Sequence, residues 1–165
     1  MSGHTDDSRP IPSADADNAT PTIYSGIDIV SIRRIADLLE EFSDSFPGRA
    51  FTVAERRYCD RQRSPSQHYA ARWAAKEAFL KVLGEPSPSV PTREIEVIRD
   101  PSGPRLSLGP SAREALSARL SQIGVDARQA DRSVSLSHDR ETDAAMAQIV
   151  VIATGNNHPG GGCRP

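Results

Sequence analysis

The chain has few of the features that mark secreted, membrane-bound or disulfide-stabilised proteins. Its 165 residues include two cysteines, Cys59 and Cys163. They form neither a disulfide framework nor a metal-ligand spacing, which favours a reducing compartment. No apolar run approaches the roughly 20 residues of a membrane span. The Asp-rich start lacks the basic region and hydrophobic stretch of a secretory signal. We therefore expect a cytoplasmic protein without a membrane segment.

Several common catalytic motifs are also missing. The sequence has no Gly-rich phosphate loop, nucleophile elbow, histidine pair or cysteine cluster, which excludes the standard nucleotide-binding and covalent-hydrolase templates. The net charge of −2 argues against general nucleic-acid binding. That charge is unevenly spread, because residues 49–81 contain eight Lys or Arg against three acids. The basic middle is a candidate surface for an anion.

Composition indicates one domain between two tails. Residues 1–21 consist mainly of Asp, Ser, Pro and Ala, too polar to bury enough surface for folding. Residues 154–165 are rich in glycine and predict a second flexible tail. The remaining stretch, 22–153, is long enough for a single domain with a hydrophobic core.

Within this stretch the hydrophobic pattern changes repeatedly between the strand period and the helix period. Strands interleaved with helices and closed by antiparallel hairpins predict an α+β fold, with a mainly antiparallel sheet packed on a long central helix. The predicted elements are a strand over 22–30, a helix from Ser31 to Pro47, a helix opened by a Thr52–Glu55 capping box, the central helix over 67–83, a hairpin over 93–108, a helix opened by a Ser111–Glu114 capping box, and a hairpin over 133–153.

A carboxylate on the central helix is the first candidate for chemistry. Trp73, Glu77 and Leu80 share one helical face, so burial of the two apolar side chains would carry Glu77 inward. A buried carboxylate needs a cation, a metal or hydrogen-bond donors. The alternative is an ordinary Glu77–Lys81 pair on a solvated flank, at the favourable i, i+4 spacing.

A second acid is placed unusually. Asp28 interrupts an apolar strand, between two isoleucines and on the opposite face. Asp28 and Glu77 could meet across a strand–helix contact and hold Mg²⁺, with water and a substrate phosphate completing its ligands. Nearby cations are suited to neutralising phosphates: Arg72, Lys76 and Lys81. His138, at a strand end, can be structural or functional on this pattern alone.

Four segments, in this order and spacing, resemble the phosphopantetheinyl transferases of the holo-acyl-carrier-protein synthase type. They are Gly26-Ile27-Asp28-Ile29-Val30, Phe51-Thr52-x-x-Glu55, Arg72-Trp73-Ala74-Ala75-Lys76-Glu77-Ala78-Phe79 and Ser135-Leu136-Ser137-His138-Asp139. The similarity covers roughly residues 22–153. It implies the fold of that family and transfer of the phosphopantetheine arm of coenzyme A to a serine of apo-acyl carrier protein, releasing adenosine 3′,5′-bisphosphate.

The resemblance also implies roles for individual residues. Asp28 and Glu77 become Mg²⁺ ligands, and either Glu77 or a metal-bound water accepts the serine proton. Arg72, Lys81 and His138 contact the phosphates or adenosine part of coenzyme A, while Arg34 meets the acidic helix of the carrier. A homotrimer with active sites at subunit interfaces is expected. The product would support fatty acid synthesis or related lipid and polyketide synthesis.

Two positions depart from the family pattern. Ser31 stands where an acidic residue is common, and Gly84-Glu85-Pro86 replaces a Gly-Thr-Gly turn. The Glu85 carboxylate should repel phosphates, and Pro86 removes a backbone donor. The Glu85-Pro86 departure leaves open a coenzyme A or carrier-binding protein of the same fold with little turnover. A Mg²⁺-dependent phosphohydrolase acting on a small anhydride is a separate alternative.

Overall fold

The computed structural model describes residues 21–43, 45–84 and 89–154. The predicted tails, apart from Pro21 and Thr154, and the Glu85-Pro86 segment lie outside these residues. Five strands and five α-helices follow one another in the described part, with short 3₁₀ turns at Thr92–Glu94 and Ala127–Gln129: β1 (Thr22–Ser31), α1 (Ile32–Glu41), α2 (Ser45–Ala50), α3 (Val53–Asp60), α4 (Pro65–Leu83), β2 (Ile95–Asp100), β3 (Gly103–Leu108), α5 (Pro110–Ser121), β4 (Ala130–Asp139) and β5 (Ala144–Ala153).

The strands form two antiparallel sheets, which confirms the predicted α+β class. The larger sheet has the order β1-β5-β4, and β2 pairs with β3 in a separate hairpin. The apolar strand β5 occupies the centre, as its composition predicted. None of the described helices has the length and apolar character needed to cross a membrane.

Helix α4 packs on the larger sheet through alanines. Ala70, Ala74 and Ala78 are fully buried, and small side chains allow the helix and strands to approach closely. The closest approach is at Gly26 of β1, where an added Cβ would collide with the carbonyl oxygen of Ala78. The contact between β1 and α4 therefore requires glycine at position 26.

The prediction that Trp73, Glu77 and Leu80 lie on the buried face of α4 is wrong in one respect. Trp73, Glu77 and Leu80 do share a face, but all three are only half-buried. The alanine face turns toward the sheet instead, because it permits the shorter helix–sheet distance. Trp73 is covered on one side by Phe46 of α2, with ring centroids 5.4 Å apart. Glu77 thus lies at the edge of the core.

Two local predictions also need correction. The helix predicted from Ser31 to Pro47 is two helices, because α1 ends at Glu41 and Pro47 lies inside α2. The Ser111–Glu114 capping box does not form. The Glu94 carboxylate accepts from the Ser111 backbone N–H at 2.7 Å instead, so a side chain distant in sequence satisfies the start of α5. The Thr52–Glu55 capping box is present as predicted.

The core contains a buried ion pair between α3 and α4. The Lys76 side chain is fully buried, and its Nζ donates to Glu55 Oε2 at 2.8 Å and to the carbonyl oxygens of Ile95 and Thr92. The carboxylate of Glu55 also accepts from the backbone N–H groups of Thr52 and Val97. Burial lowers the pKa of Lys76, and the negative charge of Glu55 opposes this shift. The network joins α3, α4, β2 and the 3₁₀ turn before it.

Replacement of Lys76 by methionine tests this network. Lys76→Met keeps a long side chain but leaves the Glu55 carboxylate buried without its cation. We expect the free energy of unfolding to fall by about 3–5 kcal/mol, the usual cost of removing one partner of a buried pair. Urea unfolding followed by circular dichroism measures the change.

Two further variants serve as controls. Glu55→Gln added to Lys76→Met should recover part of the loss, since it removes the uncompensated charge. Lys81→Met removes a lysine from a half-exposed pair and should cost less than about 1 kcal/mol. A Lys76→Met chain as stable as Lys81→Met would contradict a structural role for the buried pair.

Candidate active site

Asp28 and Glu77 meet in one cleft at the junction of β1, α1 and α4. The cleft has a volume of about 280 Å³ and is lined by Asp28, Arg34, Leu38, Trp73 and Glu77, with Ile29, Val30 and Ile35 completing its wall. We call it the acidic cleft. The alternation of β1 turns Asp28 toward α4 and leaves Ile27 and Ile29 exposed on the other face. The structure therefore brings together the two acids predicted from the sequence.

The electrostatics of the acidic cleft disfavour two free carboxylates. Partial burial raises the pKa of Glu77, the negative charge of Asp28 raises it further, and the positive charge of Lys81 opposes both. Lys81 Nζ lies 2.9 Å from Asp28 Oδ1 and donates to the carbonyl oxygen of Ile27 at 2.7 Å. The alternative Glu77–Lys81 ion pair is not formed, because the ammonium group pairs with Asp28. A pair of acids with one exposed counter-ion has capacity for a further cation.

A second set of candidates forms a separate cavity on another side of α4. It has a volume of about 450 Å³, and Tyr58, His68, Arg72, Arg99 and His138 contribute its polar lining. We call it the basic pocket. No residue lines both the acidic cleft and the basic pocket. Arg72 and Glu77 are five residues apart, so they point about 140° apart around the helix axis.

Arg72 is the buried cation of the basic pocket. It is 5% exposed, its guanidinium carbon lies 4.0 Å from the centre of the Tyr58 ring, and one nitrogen donates to the carbonyl of His68. Its Nε has no hydrogen-bond partner in the described structure. A buried guanidinium without a carboxylate partner is costly unless an anion binds beside it.

His138 completes this pocket from the end of β4. Its ring centroid lies 5.2 Å from that of His68. Burial lowers the pKa of His68, and the nearby His138, Arg72 and Arg99 lower it further. Asp100 also borders the pocket, but its carboxylate is engaged by Ser102 and Arg105.

Sequence reasoning missed Tyr58, His68 and Arg99. His68 had a usable signal, because it lies one helical turn before Arg72 on the same face. Tyr58 and Arg99 come from α3 and β2, and only the tertiary packing brings them to Arg72.

Lys76 lines neither the acidic cleft nor the basic pocket. The prediction that it contacts phosphates requires an accessible ammonium group, whereas its Nζ is buried and makes three contacts within the chain. At 3.6 residues per turn, Lys76 points into the core while its neighbour Glu77 points into the acidic cleft. We therefore assign Lys76 to the core and not to the binding surface.

Arg34 is held at the rim of the acidic cleft by the cap of α1. The Ser31 hydroxyl accepts from the Arg34 backbone N–H at 3.0 Å and donates to Asp143 Oδ2 at 2.6 Å. Asp143 Oδ1 accepts from the Arg33 backbone N–H. Thus a carboxylate from the β4–β5 turn lies beside Ser31, the residue that departs from the acidic family pattern. Asp143 adopts φ 53° in this contact.

Comparison with known proteins identifies the class. The model of the 4′-phosphopantetheinyl transferase superfamily matches residues 25–137, a range that contains the acidic cleft and most of the basic pocket. The chain belongs to this family.

Individual relatives of this chain have a more specific name than the superfamily. A holo-[acyl-carrier-protein] synthase of Methylorubrum extorquens is 48% identical over 130 residues, covering 78% of this chain and 91% of the relative. The synthase of Syntrophus aciditrophicus is 41% identical over 133 residues, covering 79% and 94%. A solved ACPS–CoA complex from Chronobacterium ammoniagenes superimposes with a TM-score of 0.65 at 31% identity, covering 81% of this chain and 98% of that one.

The coupling between the two acids gives a direct test of the acidic cleft. Asp28→Asn removes one negative charge beside Glu77, so the pKa of Glu77 should fall, while its partial burial keeps the pKa above the ordinary value. A pH titration of the Glu77 carboxyl carbon by NMR measures both states. An unchanged Glu77 titration in Asp28→Asn would mean that the two carboxylates do not interact.

Proposed function

We propose that this chain transfers the phosphopantetheine group of coenzyme A to a serine of apo-acyl carrier protein. The observation that carries the proposal is the pairing of Asp28 and Glu77 in a cleft of a chain that belongs to the phosphopantetheinyl transferase superfamily. The names of the relatives support this reaction, because both are holo-[acyl-carrier-protein] synthases. The product, a holo-carrier, would support fatty acid synthesis or related lipid and polyketide synthesis.

The donors of the acidic cleft suit Mg²⁺. Mg²⁺ prefers carboxylate oxygens and keeps water or substrate phosphate as its other ligands. Asp28 and Glu77 supply two such groups. Partial burial and, after it, the negative charge of Asp28 raise the pKa of Glu77, and a bound cation would relieve the repulsion between the two acids. When bound, Mg²⁺ would neutralise the pyrophosphate of coenzyme A and stabilise charge on the leaving group.

The chain's own residues would position the reactants and move the proton. The serine oxygen attacks the phosphorus that bears the pantetheine arm, and the bond from that phosphorus to the oxygen of adenosine 3′,5′-bisphosphate breaks. The serine proton needs an acceptor at the acidic cleft. Glu77, or a water beside it, is suited to accept this proton, because the cleft that Glu77 lines is where the serine must arrive.

The cations are suited to hold the remaining phosphate charge. Lys81 reaches the rim of the acidic cleft on a half-exposed side chain. In the basic pocket, the guanidinium of Arg72 and the imidazole of His138 can donate to a phosphate or to the adenosine part. We infer that Arg34, which is exposed at the mouth of the cleft, meets an acidic carrier.

We also propose a homotrimer whose active sites lie between subunits. The outer face of β1 and β5 exposes a band of large apolar side chains, with Ile29 65% exposed. Such a band commonly marks an interface: Ile23, Ile27, Ile29, Met146 and Ile152. The separation of the acidic cleft from the basic pocket fits this arrangement, since a neighbouring subunit can supply the second half of each site.

The decisive experiment is intact-mass spectrometry of an apo-acyl carrier protein incubated with the chain, coenzyme A and Mg²⁺. We expect a mass gain of one phosphopantetheine group, lost on chelation of the metal. Glu77→Gln, which keeps the shape of the side chain, should lower turnover by at least about 100-fold as expected for loss of general-base and charge stabilisation. Coenzyme A binding without transfer to several carriers would favour a binding protein instead.

A mixing experiment tests the shared site. Glu77→Gln damages the acidic cleft and Arg72→Met the basic pocket, so each variant alone should be nearly inactive. If sites lie between subunits, co-refolded equal amounts should regain about a quarter of wild-type activity, because random assembly of a closed ring pairs intact halves at that frequency. Absence of any recovery, with mixed oligomers confirmed by native mass spectrometry, would place each site within one chain.

A further inference from the structure

One face of α1 leads away from the acidic cleft. Arg34 and Leu38 both line the cleft, and Glu41, the last residue of α1, follows on the same side. Residues four and seven positions apart lie one and two turns along one helical face. Arg34 and Glu41 are exposed and Leu38 is half-buried. A carrier that meets Arg34, as the proposed function has it, also comes within reach of Leu38 and Glu41.

The row changes charge along its length. It begins with the guanidinium of Arg34, continues with apolar Leu38, and ends with the carboxylate of Glu41, about 10 Å from Arg34 along the axis. Asp37, also exposed, flanks the row and adds a second negative charge. None of these three charged groups forms an ion pair within the described residues. Only the end nearest the cleft therefore attracts an acidic partner.

We propose that Glu41 selects the carrier by charge. The preferred carrier presents an acid opposite Arg34, an apolar side chain opposite Leu38, and a neutral or basic group opposite Glu41. This inference rests on the proposed transfer reaction and specifies its protein substrate. A uniformly acidic docking helix would bind at Arg34 but be repelled two turns further on, and such repulsive elements are a general source of specificity.

The size of the effect follows from the exposure of Glu41. Interactions between exposed charges are weak and screened by salt, so one like-charge contact should change carrier binding by about 1.5- to fivefold at low ionic strength. Reversing the charge replaces repulsion with attraction, so its effect should be larger, about three- to tenfold. The effect should appear in association with the carrier and leave the affinity for coenzyme A unchanged, because Glu41 lines neither cavity.

Charge reversal at two adjacent positions provides the test. Glu41→Lys changes the row, whereas Glu40→Lys makes the same change in net charge about 100° around the helix, on an exposed position outside the row. With an apo-carrier whose docking helix is uniformly acidic, we expect Glu41→Lys to raise kcat/KM for the carrier about three- to tenfold at low salt, and Glu40→Lys to raise it much less. The difference should vanish in 0.5 M NaCl, where the Debye length is only about 4 Å.

Carrier affinity measured by titration gives a readout independent of turnover. Equal gains in the two variants, or no gain in Glu41→Lys, would overturn selection by Glu41. If titration separates the variants as expected while no carrier is modified by any of them, the docking inference stands and the proposed transfer reaction fails. If the wild type modifies carriers and the variants behave alike, the reaction stands and the docking inference fails.

Discussion

The ion pair between Lys76 and Glu55 sets the positions of the functional elements. Removing two charges from water is expensive, and the chain offsets that cost by giving both groups a full set of partners. Those partners belong to α3, α4, β2 and the adjoining 3₁₀ turn. Tyr58 lies one turn beyond Glu55, Arg99 two residues beyond Val97, and Arg72 one turn before Lys76. A shift in the network would therefore displace these three residues of the basic pocket.

Helix α4 supplies functional groups on two sides and packing on a third. Its alanine face fixes its depth against the sheet, its Arg72 side forms the basic pocket, and its Glu77 side forms the acidic cleft. A 19-residue helix can do this because successive residues are rotated by about 100°. The same rotation separates the cleft and pocket within one chain, which is the geometric reason for expecting sites shared between subunits.

Much of the fold and half of the site follow from local patterns. The anomaly of an acid in an apolar strand predicted Asp28, and the strand–helix contact that joins it to Glu77 is present. The order of β4 and β5 followed from alternation and from the apolar content of β5. Lys76 was misassigned because a lysine beside Arg72 has the same sequence signature whether it faces solvent or pairs with a buried acid. The partner of Lys76, Glu55, is 21 residues away. In the sequence, Glu55 already has a role as part of a capping box, so nothing pointed to a second role as the partner of a lysine. Tyr58 and Arg99 reach Arg72 only through tertiary packing, and no local pattern encodes that contact.

The close contact at Gly26 has a consequence for how the acidic cleft can evolve. Because the backbone of β1 lies against the Ala78 carbonyl with no side chain between them, the spacing of the Asp28 and Glu77 Cα atoms is a property of the backbone. Substitutions in the surrounding side chains can change the charge and the entrance of the cleft without widening it. Widening the cleft would require moving a whole strand, so variation among descendants of this chain should accumulate in the exposed side chains around the cleft while the spacing of the two acids stays constant.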